Sequence, residues 1–547
     1  MADMSKRLSD IISGLDFLDV QGNIEQPVTG LSYDSRECKP GYLFFALPGI
    51  HADGKDYIQA AIQRGAIGVV YEGRLDPVHA YALEKVACLR VADSRWAMSA
   101  ISSRFYDDPS SSLCVIGVTG TEGKSTTVSL IYQLLKLAGY GAGFFSTVMS
   151  DTGSGERPNP QHQTTPESPA VQGMLAQMRD HGLSFAVVEA SSHGLSPRTA
   201  RLAHVRFDIG LVTNVTHEHL EFHGTWEQYR SDKANLFRRL GEGGPKRLPC
   251  GTACAPQGII CADDPSAAYF AGESSSPCLT YSSKGAPADL CAFDIQSDPE
   301  GSNFTIEGPA AGPENDEKRS AALYTTDQVA QTPRITLPTR INLPGAFNVQ
   351  NALGAILAAS AATGLHWSRL VPHLPALKPV KGRMQRIFAG QPFDVIIDYA
   401  HTPSSFREIL PALRRERQGR ILCVFGSAGE RDRTKRPQQG RIAADNCDIL
   451  ILTDEDPRGE DPMAILEEIA AGCPHMPRGE RLFLIPDRPT AIRKAFSLAR
   501  PGDLILLLGK GHENSIIYAD HSIPYDEETT ARSILADLGF CAKGKEQ

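Results

Sequence analysis

Leu113-Cys114-Val115-Ile116-Gly117-Val118-Thr119-Gly120-Thr121-Glu122-Gly123-Lys124-Ser125-Thr126 is the stretch that decides the fold of this chain. Its first six residues carry no polar side chain, as suits a parallel strand covered on both faces. A glycine turn follows, and residues 127–137 then take up helix-like spacing. Strand, glycine turn and helix in this order build a phosphate cradle. Gly120, Thr121 and Gly123 let backbone N–H groups converge on an anion, and the helix N-terminus adds a favourable field. Lys124 is placed to reach the outer phosphates of a nucleotide. The hydroxyl of Ser125, or of Thr126 beside it, is placed to meet Mg²⁺. The spacing departs from the strict P-loop, because Val118 stands where its first glycine belongs. A solvated glycine turn with an incidental lysine is the plain alternative, disfavoured by the strand and helix on either side. By itself the turn says only that a nucleoside triphosphate is used.

Further apolar runs, at 185–188, 209–212, 395–397, 421–425, 449–452 and 504–508, are several times followed by glycine-rich or acidic turns and helix-like segments. That alternation predicts α/β domains with doubly wound sheets, whose ligands lie beyond the carboxyl ends of the strands. A chain of 547 residues has room for three or four domains at about 150 residues each. The first hundred or so residues read as a separate α/β unit, with a linker at 107–112 and a second boundary near 378–382. Segments 241–257 and 309–332 read as surface insertions or loops, and no internal repeat is found.

The net charge of −9 and a pI near 5.9 argue against a nucleic-acid partner, which needs a broad basic surface. No apolar run is long enough to span a membrane and no secretory signal pattern opens the chain, so a cytoplasmic location without membrane insertion is expected. The twelve cysteines are scattered without a CxxC pair, which disfavours structural zinc and a disulfide framework. Cys423 and Cys447, inside apolar runs, read as small buried hydrophobes.

Several polar groups fall at the ends of these strands. Glu189 ends the 185–188 run and is a natural Mg²⁺ ligand near a phosphate turn, or equally a turn-stabilising acid. Residues 214–224 crowd His217, Glu218, His219, Glu221 and His223 together, at a spacing that is not that of a zinc hydrolase. A divalent site bridging nucleotide and substrate suits them better, and polar turn histidines are the plainer reading. Lys233 alone reads as a helical lysine on a solvated face. In the last third, four charged turns follow four strands: 398–403, 426–437, 453–460 and 509–513. The second is strongly basic, and arginine forks suit carboxylates or phosphates. Four such turns on one presumed sheet argue for one cleft.

Together these residues resemble the Mur ligases, nearly end to end and with the motifs in the family's order. The likeness is to the branch that adds a free diamino acid (meso-diaminopimelate, L-lysine or L-ornithine) to UDP-N-acetylmuramoyl-L-alanyl-D-glutamate. The resemblance implies a three-domain α/β architecture: a UDP-substrate domain over 1–112, a central P-loop ATPase domain over 113–378, and a Rossmann-like amino-acid domain over 379–547. It implies ATP and Mg²⁺, with Lys124, Ser125, Glu189 and His219 at nucleotide and metal positions and Lys233 carbamylated as a further ligand. Ser35, Arg36 and His51 match the UDP end. Thr164, Thr165, Ser191 and Arg198 or Arg201 match substrate-peptide contacts. Asn348, Asn351, Arg383, Asp398 and His401 match an ATP-facing edge, and Arg431, Asp456, Arg458, Gly509 and Glu513 the incoming amino acid. A monomer is expected. Departures from the pattern are Glu122 for asparagine, Glu218 and Glu221 for aspartates, and Asp456, which adds negative charge where the diaminopimelate type has Asp-Asn-Pro-Arg. A folylpolyglutamate-synthase-like ligase and a P-loop switch are the competing readings. Asp34-Ser35-Arg36 and the 431–437 turn count against the first, and the charged turns of the last third against the second.

Overall fold

The computed structural model describes residues 5–49, 52–75, 86–159, 163–216, 220–298, 300–310, 333–416 and 418–540. The chain divides into two compact units. The first comprises 1–291, 307–335 and 353–371, and the second 292–306, 336–352 and 372–547.

The first unit opens with a five-stranded sheet ordered Asp19–Gln21, Ala87–Val91, Gly68–Glu72, Tyr42–Ala46, Gly30–Ser32. All neighbours are parallel except the Asp19–Gln21 edge. The 33–36 turn leaves its Gly30–Ser32 strand. The larger sheet holds the deciding strand, now bounded as Cys114–Thr119, parallel to Phe185–Glu189 on one side and Ile209–Val212 on the other. Ala142–Phe145 lies beyond Phe185–Glu189, and Gln257–Cys261 beyond Ile209–Val212. After Cys114–Thr119 the chain moves two places to one side, returns, and then continues on the other. The strand order therefore switches at this strand, where doubly wound sheets hold their ligands.

Glycines in the two neighbouring strands explain how a helix comes to lie close over the turn. Gly117 and Gly210 are directly paired. A Cβ on Gly117 would meet Leu236 Cδ1 at 2.7 Å, and one on Gly210 would meet Leu236 Cγ at 3.2 Å. The bare backbone is a shallow seat for the helix Trp226–Arg238, whose Tyr229, Leu236 and Phe237 join the buried cluster with Val115, Val188 and Val212. Burying each such large side chain contributes about 1.5–3 kcal/mol.

The second unit carries a six-stranded sheet ordered Gln385–Ile387, Asp394–Asp398, Leu504–Leu508, Ile421–Phe425, Ile449–Leu452, Leu482–Leu484, parallel except at its first strand. One face packs on Phe406, Ala443 and Ile465, the other on Ile492, Ala531 and Ile534. Helices thus cover both faces, as the fully apolar strands require. Each predicted apolar run is a strand. The 241–257 segment, read as a loop, instead contains a small hairpin pairing Lys246–Arg247 with Ala253–Cys254. Its polar and glycine-rich composition hid two buried anchors, Leu248 and Cys254. Segment 311–332 lies outside the described residues.

Candidate active site

The glycine turn is built by its neighbours as much as by its own residues. Gly120 has φ 147°, and a Cβ there would lie 1.9 Å from Thr213 Oγ1. That hydroxyl donates to the Glu122 carbonyl at 2.6 Å, while Asn214 Oδ1 accepts from the Glu122 N–H at 2.9 Å. The clamp grips the peptide of residue 122 through both its N–H and its carbonyl. Gly123, at φ 82°, begins the helix Lys124–Leu137. The Lys124 ammonium donates to Thr121 O at 2.7 Å, folded back over the turn.

Ser125 is the buried hydroxyl and Thr126 the more open one. Ser125 Oγ lies 3.0 and 2.9 Å from the two oxygens of Glu189. Glu189 also accepts from the N–H of Thr147 at 2.8 Å and its hydroxyl at 3.1 Å. The result is a buried set of hard oxygen donors, the chemistry that Mg²⁺ takes.

Lys233 contradicts the solvated-face reading. It is 1% exposed, donates to Gly120 O at 2.6 Å and lies 4.4 Å from the Tyr229 ring centre. The Gly117–Gly210 seat sets the helix, and the helix carries this amine into the turn. Tyr229 OH also meets Thr121 Oγ1 at 3.0 Å. Of the histidine cluster, 217–219, His219 among them, lie outside the described residues, as does His51. His223 is held at both nitrogens, by Asp232 at 2.7 Å and Ser192 at 3.0 Å, and is a buried structural group.

Beside Glu189, Thr165 Oγ1 and Ser191 Oγ lie 2.9 Å apart, and Thr164 is half-buried next to them. Arg201 donates to Thr165 O at 2.9 Å and pairs with Glu167 at 2.7 Å, while Arg198 is exposed and donates to Phe222 O at 2.6 Å. Burial and, after it, the Glu167 carboxylate push the Tyr33 phenol up. In the 33–36 turn Ser35 is buried and Arg36 is exposed, bound to Asp34 at 2.6 Å.

In the second unit the four charged turns gather at the carboxyl ends of four adjacent parallel strands. Burial pushes the Asp398 carboxyl up against the pull of Arg383, and Asp398 accepts from the N–H groups of Met384 and Ala400 at 2.8 Å. Arg383 stacks over Tyr399, 4.8 Å from its ring centre; the Tyr399 hydroxyl donates to Glu513 at 3.1 Å, and its carbonyl meets His401 Nδ1 at 2.9 Å. The Lys510 ammonium, fully buried, donates to Glu513 at 2.5 Å and to Asp456 at 2.8 Å. Asp456, read as added negative charge near the amino-acid side chain, is paired with Lys510 of the 509–513 turn, a cation it shares with Glu513. Arg458 takes the left-handed conformation at φ 54°, held by its N–H to Ile517 O at 3.0 Å. Arg383 Nε, Arg458 Nε and Glu455 Oε2 are buried without a hydrogen-bond partner, the state of a site that awaits polar ligands. Gly509 lies beside Glu455. Arg431 is exposed on its turn, where Arg436 is the buried anchor, bound to Glu460 at 2.9 Å and Glu468 at 2.7 Å. Asn348 and Asn351 lie on the helix Ala346–Thr363, 3.3 Å apart.

Comparison with known proteins decides the family. Residues 27–106 match the model of the Mur ligase family catalytic domain, 118–359 that of the Mur ligase middle domain, and 382–511 that of the Mur ligase glutamate ligase domain. A UDP-N-acetylmuramyl-tripeptide synthetase of Treponema denticola is 48% identical, over 97% of this chain and 98% of its own. The chain belongs to the Mur ligase family. A UDP-N-acetylmuramoyl-L-alanyl-D-glutamate–2,6-diaminopimelate ligase of Geobacillus thermodenitrificans is 35% identical over 97% and 99%. A solved structure of a ligase with that same description has 28% identity and a TM-score of 0.61, covering 98% and 100%. In this Mur ligase the glycine turn, Glu189 and Lys233 all fall in the middle-domain match. The charged turns fall in the glutamate-ligase match, which ends two residues short of Glu513. Sequence reasoning passed over Thr147, Tyr229 and Lys510. Only Lys510 left a signal, a lysine between two glycines directly after an apolar strand.

Proposed function

We propose that this Mur ligase is an ATP-dependent acid–amino-acid ligase of peptidoglycan synthesis, joining a diamino acid to the D-glutamate γ-carboxylate of UDP-N-acetylmuramoyl-L-alanyl-D-glutamate. The observation that carries the reading is the meeting of Lys124, Lys233 and the Ser125–Glu189 pair at one glycine turn. Likeness over nearly the whole length to relatives named for this synthesis supports it. The domains are read as 1–112, 113–378 and 379–547, in keeping with the three family matches.

A carboxylate does not condense with an amine near neutral pH, so the carboxyl group has first to be activated. In the proposed route the γ-phosphoryl of ATP passes to the carboxylate, and the amine of the diamino acid displaces phosphate from the acyl phosphate. Lys124 and the N–H groups at the start of the helix, 123–125, hold the phosphates and spread the charge of the moving phosphoryl group. Ser125 and Glu189 would hold Mg²⁺, with His219 and a carbamylated Lys233 as further ligands. When bound, the metal neutralises the phosphate oxygens. Thr164, Thr165, Ser191 and Arg201 line the patch suited to the dipeptide, with Arg198 outermost, and Ser35, Arg36 and His51 are read as contacts of the UDP end. Asn348, Asn351, Arg383 and Asp398 are read as nucleotide contacts. Arg431, Asp456, Arg458, Gly509 and Glu513 are read as contacts of the incoming amino acid.

The test is ADP release measured with each substrate omitted in turn. Release should need both the UDP-linked dipeptide and an amino acid, with diaminopimelate, lysine and ornithine assayed in parallel, and Lys124→Ala should abolish it. Release with neither substrate would mark a nucleotide switch instead. Release that survives Lys124→Ala would remove the phosphate assignment.

A further inference from the structure

At the opposite end of the Cys114–Thr119 strand from the glycine turn, two thiols 140 residues apart in sequence meet. Cys114 Sγ and Cys254 Sγ lie 2.7 Å apart and both side chains are fully buried. Asp208 completes a group of three with ligand atoms within 4.8 Å of one another. Two chemistries bring sulfurs together in this way, a shared metal ion and a disulfide, and the distances separate them. A tetrahedral zinc with Zn–S bonds of about 2.3 Å keeps two sulfurs roughly 3.7 Å apart. The observed separation is far shorter, and closer to the bonded distance of about 2.05 Å. The third ligand is also taken. Asp208 accepts from the Lys246 ammonium at 2.8 Å and from the Val115 N–H at 2.8 Å. Burial pushes the Cys114 thiol well up, so in the closed hairpin it offers a thiolate neither to a metal nor to an oxidant, and reaction requires the hairpin to open first.

We propose that Cys114 and Cys254 are a reversible redox pair, closed to a disulfide by peroxide. The two S–H bonds and the peroxide O–O bond break, one S–S bond forms, and the two protons and two electrons leave with the oxygens as two waters. A dithiol reductant reverses the step by thiol–disulfide exchange. Access comes through the hairpin that carries Cys254. It has two ladder pairs, Lys246 with Cys254 and Arg247 with Ala253, and the chain neighbours of Cys254, Ala253 and Ala255, are exposed. So short a hairpin opens locally at small cost. Lys246 sets how often it does, since its ammonium also donates to Ser110 O at 2.7 Å and Leu113 O at 3.1 Å. Closing the pair would staple the hairpin to the first residue of the strand that feeds the phosphate turn.

The test uses the full chain, reduced or treated with hydrogen peroxide, then alkylated in denaturant and digested without reductant. The expected product is a cross-linked peptide pair holding Cys114 and Cys254, with two of the twelve thiols lost, both regained on reduction. Cys254→Ser should keep those two thiols' difference from appearing, while its ADP release under reducing conditions stays at the parent level. Thermal midpoints of the oxidised chain should rise by at least about 2 °C, because the bond closes a long loop. The proposal is overturned if Cys114 remains fully alkylated after peroxide, or if Cys254 pairs with the exposed Cys250 on the same hairpin. One zinc per reduced chain, held by these thiols, would overturn it as well. Mapping the parent chain decides the matter even if the serine variant fails to fold.

Discussion

Lys233 shows how much a single burial can change a residue's meaning. A lysine amine that is 1% exposed and hydrogen-bonded to Gly120 O puts a positive charge directly under the phosphate turn. Carbamylation by carbon dioxide would replace that cation with an anion able to bind metal. Lys233→Ala should therefore cut ADP release by at least about 100-fold, the order seen when one charge-stabilising group is lost. Formate or acetate should restore part of it, and a variant with parent-level activity would sink the carbamate idea. Asp454 carries a different signature. Burial raises its carboxyl to about 6, above the ordinary carboxylate value, with Tyr518 OH donating at 3.0 Å. A carboxyl raised on folding binds its proton more tightly in the folded state. Its contribution is fully present below the unfolded value near 4 and is lost as pH rises through about 6. Between pH 4 and 6.5 calorimetry should show less loss of melting temperature for Asp454→Asn than for the parent. Identical slopes would show that this carboxyl does not govern the window.

At the scale of elements, what could be read in advance was what periodicity and turn chemistry encode. Runs such as 421–425 and 504–508 are apolar at every position, so their place in a sheet covered on both faces followed directly. The strand, turn and helix around Lys124 were legible for the same reason. Partners brought together from distant elements were not. Nothing near Asp456 in sequence announces that Lys510 pairs with it, and nothing near Lys233 announces the Gly117–Gly210 seat that buries it. Lys510 ties two turns through Asp456 and Glu513 and is itself enclosed. Lys510→Met leaves two carboxylates facing each other without their cation, a loss of about 3–5 kcal/mol for a buried pair. The melting temperature should fall, and the KM for the amino acid should rise well beyond that for the UDP-linked dipeptide. Lys510→Arg should recover part of both. Equal changes in the two KM values would mean that Lys510 acts on the fold alone and not on the amino-acid site.

Over the whole molecule, the candidate groups divide by chemistry. The glycine turn, Glu189 and Lys233 lie in the first unit. The unpartnered Arg383, Arg458 and Glu455 atoms lie in the second. No helix among the described residues is long and apolar enough to cross a membrane. With the groups divided between the units, ligands should leave separate footprints in amide hydrogen exchange. A magnesium-bound, non-hydrolysable ATP analogue should slow exchange in peptides covering 119–126 and 189–191. A diamino acid added next should slow it in peptides covering 454–460 and 509–517. At a hundredfold excess over Kd each ligand stabilises its bound form by about 2.7 kcal/mol, enough to slow amides that exchange by local opening about 100-fold. Protection by the amino acid at 119–126, with none at 454–460 or 509–517, would move its site out of the second unit. The Lys510 bridge would then be a structural tie between two turns, and the unpaired Arg458 would need another explanation.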